Sequence, residues 1–140
     1  MNTSTILTTE DVPVVQVKSD NGPHGARLAF NKLESKMDTL RGRKMYGVFY
    51  ETTGDYFACV QLDDEHPDDM GFEKGTIPGG LYARRKIDDW EKHVREIGHA
   101  FENMSSEIQG LGYKIDTERP SIEFYRSQKE LLLMLPIKQG

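Results

Sequence analysis

Apolar positions recur along this chain with two different periods, and the two periods separate predicted strands from predicted helices. Residues 12–18 are rich in β-branched side chains, which favours a strand. A turn at 20–23 follows, and apolar residues then recur at steps of four and three, as on one face of a helix. We expect this helix to end at Arg41-Gly42 and to bury a stripe formed by Ala26, Phe30, Leu33, Met37 and Leu40.

Two strands joined by a tight turn are predicted next, at 44–51 and 56–62. Residues 63–75 carry many acidic side chains and read as a loop, whereas 76–87 favours another strand with a bend at Gly79-Gly80. The first ten residues are polar and rich in threonine, so we expect a loose end there.

A second helix is predicted from Asp88 onward. Asp88 with Glu91 three residues later resembles a capping box, and Gly110 to Gly112 provides a stop. Strands at 121–126 and 130–137 then follow, with a turn at 127–129. The apolar stripe of this helix consists of Trp90, Val94, Ile97, Phe101, Met104 and Ile108.

The order strand, helix, strand, strand occurs twice. Residues 49–55 align without a gap on 124–130, and the same alignment places Leu62 on Ile137. We therefore predict one α+β domain over 1–140, built from two such modules at about 11–62 and 76–138. The modules should be related by a pseudo-twofold axis, in an antiparallel sheet with both helices on one face and a ligand cleft on the other.

Composition narrows the classes of function. Charged residues make up 29% of the chain and hydrophobic residues 36%, as in ordinary globular proteins, and the net charge is −5. An acidic chain lacks the basic surface that nonspecific nucleic-acid binding needs, so no direct nucleic-acid partner is expected. No apolar stretch approaches the roughly 20 residues of a membrane span and no signal peptide is visible, so we expect a cytoplasmic protein without a membrane partner.

Several other residues favour structural roles. The single cysteine, Cys59, lies in an apolar run and is expected in the core. The acidic loop does not have EF-hand spacing, the four histidines show no ligand spacing, and no glycine-rich phosphate loop is present. We therefore expect no metal and no cofactor.

Glu123 is the residue that points to a binding site. It lies between Ile122 and Phe124 in a short predicted strand, and a buried carboxylate is costly unless something compensates it. Strand alternation places Glu123 and Tyr125 on one face and the apolar pair on the other. If the apolar pair packs on the helices, the open face carries the glutamate together with four candidate aromatic walls: Tyr125, Tyr82, Tyr50 and Tyr46.

Such a cleft would suit a flat lipophilic cation, because each aromatic ring attracts a cation by about 0.5–2 kcal/mol and the carboxylate adds Coulombic pairing. Glu123 could also be a general base, since burial raises the pKa of a carboxyl. The alternative is that Glu123 is an edge residue paired with Arg84 or Arg126.

Four short motifs resemble the GyrI-like family, also called the AraC-type effector-binding or multidrug-binding domain. They are Gly22-Pro23, Gly80-Leu81-Tyr82-Ala83, the run from Pro120 to Tyr125, and Leu135-Pro136-Ile137-Lys138. The resemblance implies two strand-helix-strand-strand modules and a glutamate, here Glu123, that projects into an aromatic cleft and contacts cationic or polar ligands. Asp88-Asp89-Trp90 departs from the Gly-Pro-like turn of many relatives, and we expect no helix-turn-helix before the domain.

Three functions remain open at this stage. The leading hypothesis is a stand-alone module that sequesters lipophilic compounds, cationic ones among them, or senses them for a partner protein. The resemblance also allows a hydrolase of cyclopropane-bearing alkylating toxins on the same scaffold. A third hypothesis is an interaction protein that inhibits a DNA enzyme through the acidic loop.

Overall fold

A computed structural model describes residues 4–140 of the chain. The α-helices are α1 (Ala26–Glu34) and α2 (Ile97–Gly110), and short 3-10 helices lie at Gly22–Gly25, Trp90–Lys92 and Val94–Glu96. Neither α-helix is long and apolar enough to cross a membrane. The strands are β1 (Thr5–Thr9), β2 (Val12–Lys18), β3 (Met45–Tyr50), β4 (Asp55–Gln61), β5 (Glu73–Ile77), β6 (Gly80–Asp88), β7 (Tyr113–Ile115), β8 (Ser121–Tyr125) and β9 (Glu130–Gln139).

The strands form one antiparallel sheet whose order is symmetric about its centre. The order is β1-β6-β9-β8-β3-β4-β2-β5, with β7 added beside β9. The triplet β2-β4-β3 on one side of the centre is matched by β6-β9-β8 on the other, and each triplet comes from a strand-helix-strand-strand segment. The predicted fold class, an α+β antiparallel sheet with two helices, is confirmed.

Both helices pack on the same face of this sheet. Residues paired directly across antiparallel strands share a face, and one row of such pairs runs Val15, Val60, Met45, Tyr125, Leu131. The first two residues of the row lie in the core under α1, and the last lies in the core under α2. The two helices therefore stand side by side on one surface of the sheet, here called the helix face.

The opposite surface, here called the interior face, lies inside a curled half-barrel. Two short links, Pro78-Gly79 and Glu10-Asp11, each join a strand near one edge of the sheet to a strand near the other edge. The links touch, because the Gly79 N–H donates a 2.7 Å hydrogen bond to Asp11 Oδ1. A side chain at Gly79 would collide with the backbone of Thr9 and Glu10. The curled sheet buries its own interior residues, which include Val14, Tyr46, Val48, Cys59, Tyr82 and Ile122.

Both helices are shorter than the sequence predicts. Helix α1 ends at Glu34, and Leu40 is exposed. The predicted capping box at Asp88 is wrong, because Asp88 still belongs to β6 and pairs with Glu130. The next residue, Asp89, has a left-handed backbone (φ 51°), and two 3-10 turns then delay the start of α2 until residue 97.

Three strands were not expected from the sequence. Residues 5–9, predicted to be loose, pair with β6, whereas residues 1–3 lie outside the described part of the chain. Strand β5 begins inside the predicted acidic loop and is separated from β6 by Pro78-Gly79. Strand β7 is a three-residue addition to β9.

The two hairpins are not related by the gapless alignment. Tyr50 pairs with Asp55 and encloses residues 51–54, whereas Tyr125 pairs with Leu131 and encloses 126–130, one residue more. The alignment therefore places Phe49, a helix-face residue, on Phe124, an interior residue. A one-residue slip exchanges the two faces of a strand, so the predicted superposition of β3 on β8 is wrong by one position.

Candidate functional site

Glu123 lies at the centre of the sheet on the helix face, in the groove between α1 and α2. It stands opposite Gly47 in the central strand pair. The Tyr56 hydroxyl donates to its Oε1 at 2.6 Å, and the Tyr125 hydroxyl donates to the same oxygen at 2.9 Å. Among residues 4–140, no group donates a hydrogen bond to Oε2, which leaves this oxygen for a ligand or water.

The absence of a side chain at Gly47 makes room for this arrangement. A Cβ at Gly47 would collide with the Tyr56 hydroxyl and with Glu123 Oε1. Tyr56 itself is buried in β4. Its ring packs edge-to-face with the ring of Phe30, and the two ring centres are 6.5 Å apart. Register, glycine and tyrosine together fix the position of the carboxyl group.

No cation compensates the charge of this carboxyl group within the described residues, because no Lys, Arg or His forms an ion pair with Glu123. Burial raises the pKa of Glu123, and the hydrogen bonds from Tyr56 and Tyr125 oppose that rise only in part. Burial, together with the nearby Glu123 charge, also raises the pKa of both tyrosines. The tyrosines therefore stay protonated and act as donors to the carboxylate.

A cavity of about 640 Å³ opens onto Glu123 between β3, β8 and α2. Its volume is within the range of small-molecule sites. Three carboxylates line it, those of Glu51, Glu102 and Glu123, and no Lys, Arg or His of the described chain does so. The apolar part of the wall consists of Pro23, Phe49, Ile97, Phe101, Ile115 and Leu135.

A second cavity of about 560 Å³ is lined in part by Tyr125. The Tyr125 ring meets Phe30 and Trp90 in edge-to-face contacts, with ring centres 5.5 and 5.0 Å away. The Trp90 indole N–H donates to the Ser127 carbonyl at 3.1 Å, which anchors the ring. Its lining combines apolar and aromatic side chains with four polar ones, those of Arg27, Asn31, Glu34 and Glu91.

The predicted aromatic wall is only partly in place. Tyr125 lies beside Glu123, but Tyr46, Tyr50 and Tyr82 lie on the interior face, so the prediction that these three tyrosines wall the same cleft is wrong. The predicted position of the cleft on the surface away from the helices is also wrong. The reason is that Ile122 and Phe124 pack inside the half-barrel and not on the helices.

The three interior tyrosines have other partners. Tyr46 stacks on Phe124 with ring centres 4.7 Å apart and donates to Gln61. Tyr82 is fully buried and donates to the Pro78 carbonyl at 2.7 Å. The ring of Tyr50 packs edge-on against Phe57.

The structure does not support the reading of Glu123 as an edge residue. Strand β8 lies inside the sheet, between β9 and β3. Arg84 is paired with Met134 in a row that faces the interior, and Arg126 pairs with Glu130 at 3.8 Å.

Three residues of the site were not predicted from the sequence: Gly47, Tyr56 and Phe30. Tyr56 has the same parity along β4 as Ala58 and Val60, which pack under α1. That alternation is visible in the sequence. It shows which residues of β4 share a face, but not which of the two faces carries the helices.

The structure also shows the surroundings of the single cysteine and of the acidic loop. Cys59 is buried on the interior face, and burial raises the pKa of its thiol to about 12. In the acidic loop, Asp63 accepts hydrogen bonds from the backbone of Glu65 and His66. Within residues 4–140, no group of three His, Cys, Asp or Glu side chains could hold a metal ion.

No known protein family matches the sequence, and no curated protein matches it either. Solved structures, however, share the fold. The EcmrR C-terminal domain is similar to this chain with a TM-score of 0.74 and 9% identity, covering 100% of this chain and 99% of that one. A longer EcmrR chain, solved in a complex with DNA, is covered over 58% of its length, with a TM-score of 0.71 and 10% identity.

Two further structures are similar over nearly their whole lengths. SAV2435 bound to tetraphenylphosphonium has a TM-score of 0.59 and 12% identity, with 97% of this chain and 94% of that chain covered. A hydrolase from Listeria innocua has a TM-score of 0.61 and 13% identity, with 96% and 91% covered. At these identities the likeness establishes a shared fold and nothing further.

Proposed function

We propose that this protein is a small-molecule-binding domain of the GyrI-like type, whose ligands are lipophilic cations that contact Glu123 in the groove between the helices. One observation carries the proposal. The Glu123 carboxyl opens into a cavity, accepts two tyrosine hydroxyls on one oxygen, and has no cationic partner among the described residues.

The electrostatics of the cavity select the charge of the ligand. Its lining contains three glutamates and no basic residue of the described chain, so the potential inside is negative. A cation that enters meets an incompletely solvated carboxylate, and their attraction is stronger there than in bulk water. The aromatic walls add contacts with the cation, while the aliphatic walls accommodate its apolar groups.

The solved structures support this proposal by analogy. SAV2435 holds the lipophilic cation tetraphenylphosphonium on the same fold, and the EcmrR C-terminal domain belongs to a longer chain solved with DNA. We infer that the present domain binds its ligand to sequester it or to sense it for a protein partner. The net charge of −5 makes duplex DNA an unfavourable direct partner.

Calorimetric titration with tetraphenylphosphonium tests the proposal. Glu123→Gln should weaken binding about 5- to 150-fold, as expected from roughly 1–3 kcal/mol for the lost Coulombic attraction between the carboxylate and the phosphonium. Glu118→Gln removes a carboxylate that does not line the cavity and should leave binding unchanged. Triphenylphosphine oxide, a neutral compound with similar rings, should respond much less to the Glu123 change. Equal binding of tetraphenylphosphonium by both variants would reject the role of Glu123.

A second candidate function uses the same carboxyl as a general base. The raised pKa and the unbonded Oε2 suit proton abstraction from a water molecule, and the fold is shared with a hydrolase from Listeria innocua. The water oxygen would bond to an electrophilic cyclopropane carbon of an alkylating toxin, and its proton would pass to Glu123. The electrons of the broken ring bond would move to the conjugated carbonyl of the toxin, whose oxygen would then take the proton from Glu123 and so regenerate the carboxylate. Mass spectrometry should detect a product that has gained one water, and Glu123→Gln should abolish its formation.

A further inference from the structure

The floor of the groove between the helices is built from successive rows of paired residues on β3 and β8. Gly47 pairs with Glu123 in one row, and Met45 pairs with Tyr125 in the next row on the same face. Residues two positions apart in a strand are separated by about 6.8 Å. Glu123 lines the first cavity and Tyr125 lines the second, so the two cavities are neighbours along one groove.

Tyr125 stands at the boundary of these cavities. Its hydroxyl reaches Glu123 of the first cavity, while its ring lines the second and contacts Phe30 and Trp90. A charge-assisted hydrogen bond on one side and two edge-to-face contacts on the other hold the side chain in this place.

We propose that Tyr125 is a specificity-determining residue, because its ring divides the groove and limits the length of the ligand that binds at Glu123. The inference rests on the proposed function of that glutamate. Compact cations fill the first cavity and leave the ring in place. A long apolar tail on such a cation stops at the ring, although the second cavity beyond it has suitable apolar walls in Met45, Leu40 and Val94.

The charge of the second cavity fits this assignment. Its lining includes Arg27 as well as Glu34 and Glu91, so it lacks the one-sided negative lining of the first cavity. The cationic head is therefore expected at Glu123 and the uncharged tail on the far side of Tyr125. Removing the ring should join the two cavities and admit the tail.

Alkyltriphenylphosphonium ions with tails from methyl to decyl test the proposal, because the cationic head stays constant while the tail grows. Calorimetry with the intact protein gives the dissociation constant for each ion. In the native protein and in Tyr125→Phe, which retains the ring, the affinities should differ by less than about threefold once the tail reaches the partition. In Tyr125→Ala, each further buried methylene should tighten binding about fourfold, as expected from roughly 0.8 kcal/mol per methylene.

The fluorescence of Trp90, the only tryptophan, gives a second readout because its ring contacts Tyr125. Its emission should change on decyl binding to Tyr125→Ala and stay nearly constant on methyl binding to the native protein. If Tyr125→Ala does not fold, the native series alone decides, since a steady fourfold gain per methylene there would mean that the ring is no barrier.

Failure of this inference is distinguishable from failure of the proposed function. If methyltriphenylphosphonium binds in a Glu123-dependent way but Tyr125→Ala shows the native dependence on tail length, only the partition is rejected. If Tyr125→Phe behaves like Tyr125→Ala, the hydroxyl and not the ring sets the limit, which also rejects it. If no member of the series binds the native protein, both ideas fail.

Discussion

Gly47 and Glu123 face each other across the central strand pair, and the missing side chain of the first makes room for the carboxyl of the second. The same space admits the hydroxyl of Tyr56, which reaches Glu123 Oε1 at 2.6 Å. A glycine in the middle of a strand weakens the sheet, and it is commonly found where another group approaches the backbone closely. Here that group is the carboxyl–tyrosine cluster.

Gly47→Ala should therefore damage the site. The new methyl group would overlap Tyr56 and Glu123, and overpacking of this kind costs about 1–3 kcal/mol of unfolding free energy. Urea unfolding measures that loss, and titration with tetraphenylphosphonium should show weaker binding because the carboxyl group is displaced. Gly98→Ala is the matched control, since Gly98 lines the same cavity but a Cβ there meets no atom within 4 Å. Equal behaviour of the two variants would contradict the argument.

The stability of the native protein should depend on the ionisation of Glu123. Because the pKa of Glu123 is raised, the folded protein keeps this proton at pH values where the unfolded chain has lost it. The contribution of this group is therefore most favourable below the usual pKa of 4.5 and decreases as the pH rises to the folded-state value. Urea unfolding of the native protein and of Glu123→Gln, from pH 4 to pH 8, should show this decrease only in the native protein.

Other carboxyl groups have lowered pKa values, so their contributions to stability increase with pH. They do not obscure the comparison between the two proteins. The pKa of Glu107 is lowered by its hydrogen bonds with Ser4 and by Arg85, and that of Asp116 by Arg119. Both residues are present in both proteins, so their contributions cancel in the difference. A difference in unfolding free energy that stays constant with pH would show that Glu123 titrates normally.

Removal of single tyrosine hydroxyl groups should have different effects on stability on the two faces of the sheet. Tyr56→Phe removes a donor to a carboxylate and should cost about 1.5–3 kcal/mol at neutral pH, and less at pH 4 where the carboxyl is protonated. Tyr46→Phe removes a hydrogen bond to the neutral Gln61 on the interior face and should cost about 0.5–1.5 kcal/mol at both pH values. Thermal or urea unfolding at the two pH values gives all four numbers. A pH-independent loss for Tyr56→Phe would argue against an ionised Glu123.

The sequence could predict which residues share a face, but not which face bears the helices. Strand parity correctly grouped Glu123 with Tyr125 and Ile122 with Phe124. The step that failed was the assumption that apolar residues point to the helices. In a curled sheet the interior face is apolar as well, and the curl depends on how the Pro78-Gly79 link crosses between distant strands.

At the predicted start of the second helix, strand pairing overrides the local helix-capping signal. The residues Asp88 and Glu91 have the spacing of a capping box, yet Asp88 is held in β6 by its pairing with Glu130. The Asp89 N–H then donates to the Lys129 carbonyl at 2.6 Å, which extends this contact by one residue. Helix periodicity was right for Met104 and Ile108, which are fully buried, because these positions pack on β9 whatever the helix start is.

Substitutions at two residues of α2 should show different effects on stability and on ligand binding. Met104 is fully buried in the core under α2, and Met104→Ala should cost about 2–5 kcal/mol of unfolding free energy. Phe101 is only partly buried and forms part of the cavity wall, so Phe101→Ala should cost less, about 1–3 kcal/mol. Its effect on tetraphenylphosphonium affinity should nevertheless be the larger of the two, because an aromatic wall of the proposed site is lost. Calorimetric titration of both variants at a temperature where each is folded checks this inversion. If Met104→Ala weakened binding more than Phe101→Ala, the ligand would not lie in the cavity that opens onto Glu123.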